Sequence, residues 1–376
     1  MIYLDNAATT FPKPPEVVRA VTQAMMEYSA NPGRSGHALA MRAAQSVYAA
    51  RVAAAEMFGA DNPDRVVFTL NCTHAVNFVL KGLLSPGDHV ITSCLEHNAV
   101  VRPLHKLAQS GVSVSRFSVD LHDPELCTRQ IERLIRPATR MIFCTHCSNV
   151  FGTVLPIKQI GSIAKKHSLL FGVDAAQSAG LIDIDIEQMN IDYLCMPGHK
   201  ALYGPMGTGL LIMRAAPPDS IIEGGTGSLS NTPVQPEELP ERLESGTLNL
   251  PGIAGLRAGI DFVRQREMRE IYEHELELTK RLYAQLSGIP DVRLYTPPPE
   301  PCRCAPVLSF NKEGVGSEIV AGYLSKGGFA VRAGLHCAFL AHETASSLPG
   351  GTVRVCPGVF NTAGDIDDFV QYVKKF

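Results

Sequence analysis

The stretch Leu169–Ser178, which reads LLFGVDAAQS, decides the fold of this chain. Its apolar half predicts a buried strand, and Asp174 stands where that strand ends. A second apolar run, Tyr193–Met196, is followed by a loop that ends on the amine of Lys200. Apolar runs with polar tips are typical of neighbouring strands in a sheet that is covered on both faces. The sequence therefore predicts a carboxylate and an amine at one edge of the same sheet.

Asp174 and Lys200 together suit a site for pyridoxal phosphate (PLP). The amine would bond to the aldehyde of the cofactor, and the carboxylate would keep the pyridinium nitrogen protonated, so that the ring withdraws electrons. Taken singly, each residue is more often a solvated charge at a strand end or on the surface. The polar residues at the other strand ends decide between these two interpretations.

Helical and strand patterns alternate from about residue 14 to residue 250, which predicts a mainly parallel sheet with helices on both faces. Beyond residue 251 a long charged helical stretch, broken near Arg269, leads to short strands near residues 292–295, 307–310 and 352–355. We expect an α/β protein with a large domain at residues 14–255 and a smaller α/β domain made of residues 1–13 and 256–376. The predicted strands of the large sheet number seven, at residues 65–69, 89–92, 112–117, 141–145, 169–174, 193–196 and 207–213, the last of them antiparallel.

The composition is that of an ordinary globular protein, with 45% hydrophobic and 19% charged residues. A net charge of −3 offers no basic patch for nucleic acid and no attraction to a membrane surface. The apolar runs are too short to cross a bilayer, and the first residues lack the pattern of a signal peptide. These features predict a cytoplasmic protein that binds neither nucleic acid nor membrane.

Ten cysteines are scattered through predicted strands and turns, as expected of reduced thiols. Two close pairs, Cys144 with Cys147 and Cys302 with Cys304, have spacings that occur at zinc sites. A zinc site needs two matching pairs at suitable spacing, whereas these pairs differ and lie far apart in the chain. We therefore predict no metal site, and we expect Cys144 to face the core.

Ligands of open α/β sheets bind at the carboxyl ends of the strands, so the polar residues there are candidate binding residues. Thr73, followed by His74, opens a helix whose free N–H groups and hydroxyl suit a phosphate, although an ordinary helix cap explains Thr73 more simply. His199, directly before Lys200, is a second candidate for the phosphate.

Three further residues follow predicted strands in the same way. His97 suits stacking on a flat ring, Asn149 suits a hydrogen bond to a phenolic oxygen, and Gln177 comes shortly after Asp174. A lone histidine in such a loop is more often structural. Because these polar residues follow predicted strands in the same way as Lys200, they favour the PLP site over unrelated surface charges.

Cys337 is a further candidate for chemistry. It lies in a polar, glycine-containing loop with His336 beside it and Arg332 nearby. Positive neighbours would favour the reactive thiolate, and the alternative is a buried, inert cysteine. Arg354, further along, suits a carboxylate because the guanidinium offers two parallel hydrogen bonds.

Taken together, these residues resemble those of the cysteine desulfurases, a group within the class V, fold-type I PLP-dependent enzymes. The resemblance covers essentially the whole chain, and the short loop between Cys337 and Arg354 is similar to that of the SufS-like group. It is carried by residues 3–10, 96–99, 148–153, 173–177, 198–200, 244–247 and 332–338.

The resemblance implies a set of roles around PLP. Lys200 would hold the cofactor and move protons, with His97 stacked on the ring as a further catalytic residue. Thr247 would reach the phosphate in the partner subunit, which implies a homodimer. The implied cofactor-binding residues are Thr73, His74, His97, Asn149, Asp174, Gln177, His199, Lys200 and Thr247.

The resemblance also implies a reaction. Cys337 would attack the sulfur of bound L-cysteine, leaving a persulfide on the enzyme and releasing L-alanine. A sulfur-acceptor protein would then take the sulfur, for example in iron–sulfur cluster assembly. The implied substrate-binding residues are Arg354, Asn149, Ala8 and Arg34.

The chain departs from the family pattern in places. Pro197 stands where a serine is usual, and Leu335 replaces a polar residue before His336 and Cys337. These departures leave open a selenocysteine lyase or a class V aminotransferase of the same fold. A non-catalytic scaffold is the third alternative, but such a protein has no use for a residue pair that protonates the ring.

Overall fold

A computed structural model describes residues 1–33 and 35–376 of the chain. The helices within them are α1 (Pro15–Glu27), α2 (Ala38–Phe58), α3 (Cys72–Leu83), α4 (Asn98–Gln109), α5 (Cys127–Leu134), α6 (Ile157–Lys166), α7 (Leu250–Arg266), α8 (Met268–Leu286), α9 (Ser317–Lys326), α10 (Phe339–Thr344) and α11 (Ala363–Val373). The strands are β1 (Ile2–Tyr3), β2 (Val66–Thr69), β3 (His89–Ser93), β4 (Ser113–Phe117), β5 (Thr139–Thr145), β6 (Leu170–Asp174), β7 (Tyr193–Pro197), β8 (Gly209–Met213), β9 (Val292–Leu294), β10 (Leu308–Lys312), β11 (Phe329–Ala330), β12 (Arg332–Gly334) and β13 (Thr352–Val355).

The large sheet has seven strands in the order β2-β8-β7-β6-β5-β3-β4. All neighbours pair in parallel except β8, which runs antiparallel to both β2 and β7. The predicted seven-stranded, mainly parallel sheet and its antiparallel strand are therefore confirmed. In the register of β6 and β7, Asp174 pairs with Cys195, so the two loops after these strands start side by side.

The two faces of the large sheet are buried in separate hydrophobic clusters. Successive residues of β7 show this, because Leu194 belongs to one cluster and Cys195 to the other. Cys144 is buried and faces the core, as predicted. Helix α2 is rich in alanine, and Gly59 ends it in a left-handed conformation with φ of 70°.

The smaller sheet is antiparallel, in the order β12-β13-β10-β9. Strand β12 lies where the sequence indicated only a loop, because three residues with a glycine carry no recognisable alternation. The N-terminal strand β1 pairs in parallel with β11, through Ile2 opposite Phe329. The first residues thus lie beside elements from residues 290–376, although the predicted division into two domains stays a prediction, with its boundary inside α7.

The long charged helical stretch is broken two residues before the predicted position. Glu267, with φ of 60°, separates α7 from α8 by adopting a left-handed conformation that neither helix can continue. Helix α7 packs on α1 and α2, whereas α8 contacts α11 and β9. Among the described residues, no helix is long and apolar enough to cross a membrane.

Candidate active site

A cavity of about 210 Å³ opens at the carboxyl ends of the central strands of the large sheet. It collects polar residues from several strand ends, as the topology of open α/β sheets predicts. Nine of the predicted site residues line it: Ala8, Thr73, His97, Asn149, Asp174, Gln177, His199, Lys200 and Arg354.

Asp174 is a buried carboxylate at the end of β6, with 2% of its surface exposed. Its Oδ1 accepts hydrogen bonds from the backbone N–H of Ala176 at 2.9 Å and from Sγ of Cys72 at 3.3 Å. These contacts fix the carboxylate at the floor of the cavity. Cys72 itself is held in the thiol form, because burial and the negative Asp174 raise its pKa well above the usual range.

The amine of Lys200 faces the same cavity. Burial lowers the pKa of Lys200, the nearby Asp174 opposes this shift, and the positive Arg354 adds to it. A lowered pKa increases the share of neutral amine, which is the form that bonds to an aldehyde. The loop that carries Lys200 is tied to the N-terminal segment, since Thr10 donates from Oγ1 to the Lys200 carbonyl at 3.0 Å.

His97 caps helix α4, and its Nδ1 accepts a hydrogen bond from the N–H of Ala99 at 3.0 Å. Burial lowers the pKa of His97, whereas Asp174 works in the opposite direction. A neutral imidazole held by its own helix presents a flat, uncharged face to a ring bound in the cavity.

The donor set fits PLP. Asn71 caps α3 by accepting from the N–H of His74 at 2.9 Å, so the first turn of this helix leaves other N–H groups, with the Thr73 hydroxyl, at the cavity. Nδ1 of His199 is buried without a hydrogen-bond partner among the described residues. An unpaired donor beside a helix N-terminus suits a phosphate, and the buried carboxylate of Asp174 suits a pyridinium nitrogen.

Arg354, on β13, is almost completely buried, with 1% of its surface exposed. Its Nη1 donates to the carbonyl of Asn149 at 3.0 Å, and its Nη2 donates to Oδ1 of Asp5 at 2.8 Å. Its Nε has no partner within the described part of the chain. The guanidinium is therefore held in place, with Nε left unpaired. Asp5 stands inside the stretch 3–10 that carries the resemblance, but no pattern in the sequence indicates its role.

Cys337 is exposed beside the cavity, and its sulfur lies 3.8 Å from Nη2 of Arg332. His336 and Cys337 both have left-handed backbones, with φ of 46° and 57°. Two hydrogen bonds hold this unusual turn: the N–H of Asn98 donates to the Cys337 carbonyl at 2.7 Å, and Nδ2 of Asn149 donates to the His336 carbonyl at 2.8 Å. The position of the thiol is thus fixed by the loops that form the cavity.

The expectation that His336 is a positive neighbour of Cys337 is wrong. Burial, reinforced by the positive Arg354, lowers the pKa of His336 to about 2, so the ring is neutral. Its Nε2 lies 3.0 Å from the Thr352 carbonyl, which makes it a structural residue of the loop. Arg332 supplies positive charge at the sulfur.

Some predicted residues lie elsewhere. The ring of His74 stacks on Phe78, with centroids 4.5 Å apart, and lines a separate cavity of about 190 Å³ together with Thr247. The ring of His74 therefore does not reach the cavity of Lys200. Arg34 lies outside the described residues.

A model of the class-V aminotransferases matches residues 2–369. A protein of Methanothermobacter thermautotrophicus named "Probable cysteine desulfurase" is 36% identical over 97% of this chain and 92% of its own length. The chain belongs to the cysteine desulfurases of the class-V aminotransferase family. Enzymes of this family depend on PLP.

Solved structures of cysteine desulfurases have the same fold. The apo enzyme of Thermococcus onnurineus NA1 superposes with a TM-score of 0.92 at 30% identity, over 100% of this chain and 94% of the other. The CsdA enzyme of Escherichia coli superposes with a TM-score of 0.88 at 28% identity, over 99% of this chain and 94% of the other. The predicted fold, family and cofactor are thereby confirmed.

Proposed function

We propose that this cysteine desulfurase removes sulfur from L-cysteine and gives L-alanine with a persulfide on Cys337. The observation that carries the proposal is an exposed thiol beside Arg332, at the edge of a cavity that holds both Lys200 and Asp174. A PLP enzyme that only exchanges amino groups needs no thiol at this place.

Several residues of the cavity would hold the cofactor. Asp174 would pair with the pyridine nitrogen, His97 would lie against the ring, and Thr73 with His199 would bind the phosphate. Gln177 is held by a 3.1 Å hydrogen bond from its Nε2 to the carbonyl of Ala7, which leaves its Oε1 free to accept from the bound cofactor or substrate. When bound, PLP supplies an electron sink.

Arg354 would bind the carboxylate of L-cysteine. Its buried guanidinium offers the unpaired Nε, and Nη2 is shared with Asp5. Asn149 and Ala8 lie in the same cavity, and Arg34 stays a candidate from the resemblance. Holding the carboxylate at Arg354 would direct the rest of the small substrate toward Lys200 and Cys337.

Cys337 would carry out the sulfur transfer. Its thiolate attacks the substrate sulfur, so that an S–S bond forms while the C–S bond of the substrate breaks. The electron pair of that bond stays on carbon, which takes up a proton and becomes the methyl group of L-alanine. Lys200 would deliver protons, a role that suits an amine whose pKa burial lowers. The positive Arg332 stabilises the sulfur anion at Cys337 before and after the transfer.

The resemblance also supports a proposal for the compartment, the oligomeric state and the sulfur acceptor of the enzyme. We propose a cytoplasmic homodimer in which Thr247 reaches the phosphate in the partner subunit. The exposed position of Cys337 suits onward transfer of the persulfide to an acceptor protein, for example in iron–sulfur cluster assembly.

The test is release of L-alanine from L-cysteine by the PLP-loaded protein and by Cys337→Ser and Lys200→Ala. Both variants should lose release almost completely, and mass spectrometry should find one added sulfur atom on the wild-type peptide that contains Cys337. Cys302→Ser is the matched control, because it removes another exposed thiol.

Full alanine release by Cys337→Ser would contradict the proposal. A keto acid as the product would then favour a class V aminotransferase, and turnover of L-selenocysteine alone would favour a selenocysteine lyase.

A further inference from the structure

A second cavity, of about 30 Å³, adjoins the active site on another side of Lys200. It shares the lining residues Lys200, Gln177 and Ala176 with the larger cavity. The residue of interest on its lining is Glu275, a carboxyl group from α8 to which the cofactor chemistry assigns no role. Lys200 thus borders two cavities, and the larger one collects most of the residues expected to bind cofactor and substrate.

Glu275 is buried, with 6% of its surface exposed. Its Oε1 accepts a hydrogen bond from the hydroxyl of Tyr203 at 3.3 Å. Burial raises the pKa of Glu275 to about 8, against the lowering effect of hydrogen bonds from Tyr203 and from the backbone of Val359. No ion pair with Glu275 occurs in the part of the chain that the structure describes. The group is therefore a neutral acid at pH 7 that holds a releasable proton.

The titratable groups around Glu275 are Tyr203, the thiol of Cys356 and Lys200 across the cavity. Burial raises the pKa of the Tyr203 hydroxyl well above its usual range and that of the Cys356 thiol to about 12. Neither group exchanges a proton near neutral pH. Burial raises the pKa of Glu275 and lowers the pKa of Lys200. Of the groups in this cavity, these two alone therefore have pKa values shifted toward each other.

Tyr203 connects the loop of Lys200 to Glu275. Its N–H donates to the Lys200 carbonyl at 2.7 Å, while its hydroxyl donates to Glu275. The ring is buried against Phe262, with centroids 4.9 Å apart, so it cannot swing away. One rigid residue therefore joins the loop of Lys200 to the carboxyl group on α8.

The cavity between them is large enough for water, since one molecule needs about 10–15 Å³ and two to four polar partners. Asn6, Thr10 and Gln177 supply polar groups to its lining in addition to Lys200 and Glu275. Water in this cavity would have hydrogen-bonding partners at both ends.

We propose that Glu275 is a proton-relay residue for Lys200, acting through water in the cavity that both residues line. The carboxylic acid gives a proton to the water, the water gives one to the neutral amine, and an ammonium and a carboxylate result; the reverse transfer restores both groups. The inference rests on the proposed function, in which Lys200 gains and loses protons while substrate fills the larger cavity. Because the small cavity lies on another side of Lys200, the amine can exchange protons through it while bound substrate fills the larger cavity.

The test uses the PLP-loaded enzyme with Glu275→Gln, which keeps the size of the side chain and an acceptor for Tyr203 but cannot relay a proton. Relay should contribute at the lower end of general acid–base effects, so kcat should fall about 100-fold with KM unchanged. The pH dependence of kcat around pH 8 should flatten, and the solvent deuterium isotope effect should change. Glu275→Asp should restore part of the rate.

Glu277→Gln is the control, because this neighbour on α8 has 75% of its side chain exposed.

Infrared difference spectra of the PLP-loaded protein give a second measurement that needs no turnover. Burial also raises the pKa of Glu96 to about 8, so the spectra of wild type are compared with those of Glu275→Gln. A carbonyl stretch of a protonated carboxylic acid should be present at pH 6 in wild type alone and disappear as the pH rises past 8. Tyr203→Phe, which removes the hydroxyl donor, should shift this band, and it keeps the assignment testable if Glu275→Gln does not fold.

The two tests separate the relay from the reaction itself. Wild-type alanine release combined with an unchanged kcat and pH profile in Glu275→Gln would overturn the relay and leave the desulfurase standing. Identical carboxylic acid bands at pH 6 in wild type and Glu275→Gln would overturn it whether or not the protein releases alanine. A purely structural role for Glu275 predicts lower stability with no change in isotope effect, and that result would also overturn the relay.

Discussion

Nη2 of Arg354 donates a 2.8 Å hydrogen bond to Oδ1 of Asp5, although the two residues are 349 positions apart in the chain. The guanidinium proposed to bind the substrate carboxylate is therefore already paired with a carboxylate of the protein. This arrangement holds a buried cation in place before the substrate arrives, and it lowers the cost of burying the charge.

Replacing Arg354 with lysine should weaken substrate binding selectively. A point-charge ammonium cannot reproduce the fork of the guanidinium, and loss of a charged hydrogen bond costs about 1.5–3 kcal/mol. KM for L-cysteine should therefore rise about 10- to 100-fold, with the absorbance of bound PLP unchanged. Arg257→Lys, at a half-exposed ion pair on α7, is the control. An unchanged KM would mean that another residue binds the carboxylate.

Replacing Asp5 with asparagine should destabilise the fold. The substitution leaves the guanidinium of Arg354, which is 1% exposed, without its counter-charge. Removing one partner of a buried pair costs about 3 kcal/mol of the free energy of unfolding, to be measured by urea denaturation. Asp367→Asn breaks an exposed pair with Arg281 and should change stability little. Equal effects of the two substitutions would argue against a structural role for the Asp5 pair.

Glu96 should make stability depend on pH. Burial raises the pKa of this carboxyl group from its usual 4.5 to about 8, against hydrogen bonds from the Ser93 hydroxyl and the Thr145 N–H. The folded state then binds more protons than the unfolded state between about pH 4.5 and 8, so the stabilisation from Glu96 falls as the pH rises through this window.

Glu96→Gln should remove this dependence, since the amide has the same size and never ionises. Relative to wild type, the variant should gain stability steadily as the pH is raised from 5 to about 8, measured by urea denaturation at each pH. Glu273→Gln, at a side chain that is 61% exposed, should show no such trend. A constant difference between Glu96→Gln and wild type would show that Glu96 is ionised in the folded protein.

Two helical glycines should respond in opposite ways to alanine. A Cβ on Gly161 in α6 would lie 2.0 Å from the Met189 carbonyl oxygen, whereas one on Gly322 in α9 would meet no atom within 4 Å. Gly161→Ala should therefore destabilise by about 1–3 kcal/mol or more through overpacking. Gly322→Ala should stabilise by about 0.5–1 kcal/mol through helix propensity. Thermal or urea denaturation of both variants checks the pair, and equal signs would refute the packing argument.

The sequence predicted the large sheet and the cavity well, because both depend on local patterns. An apolar run that ends in a polar residue marks a strand and its tip, and parallel strands bring their tips to one edge. Asp174, His97 and Lys200 meet at one cavity for this reason. The positions of the strand ends can be predicted without knowing any contact between distant parts of the chain.

Features that depend on distant contacts were not predictable. Strand β1 has only two residues, and its partner Phe329 is far away in the chain. The ring of His74 turns toward Phe78 rather than the cavity, which a sequence pattern cannot reveal. His336 is neutral because the fold buries it beside Arg354, and the roles of Asp5 and Glu275 likewise follow from neighbours on remote elements.

The parallel pairing of β1 with β11, followed by the bridge from Asp5 to Cys356, has a consequence for synthesis on the ribosome. Residues 2–5 emerge before residues 329–356, and they have no strand partner until those residues have also left the exit tunnel. The large sheet can form earlier, whereas the contact that holds Arg354 must wait. A nascent chain would therefore acquire its core before it acquires the ability to bind an amino acid, and a truncated product would fold in part without gaining activity.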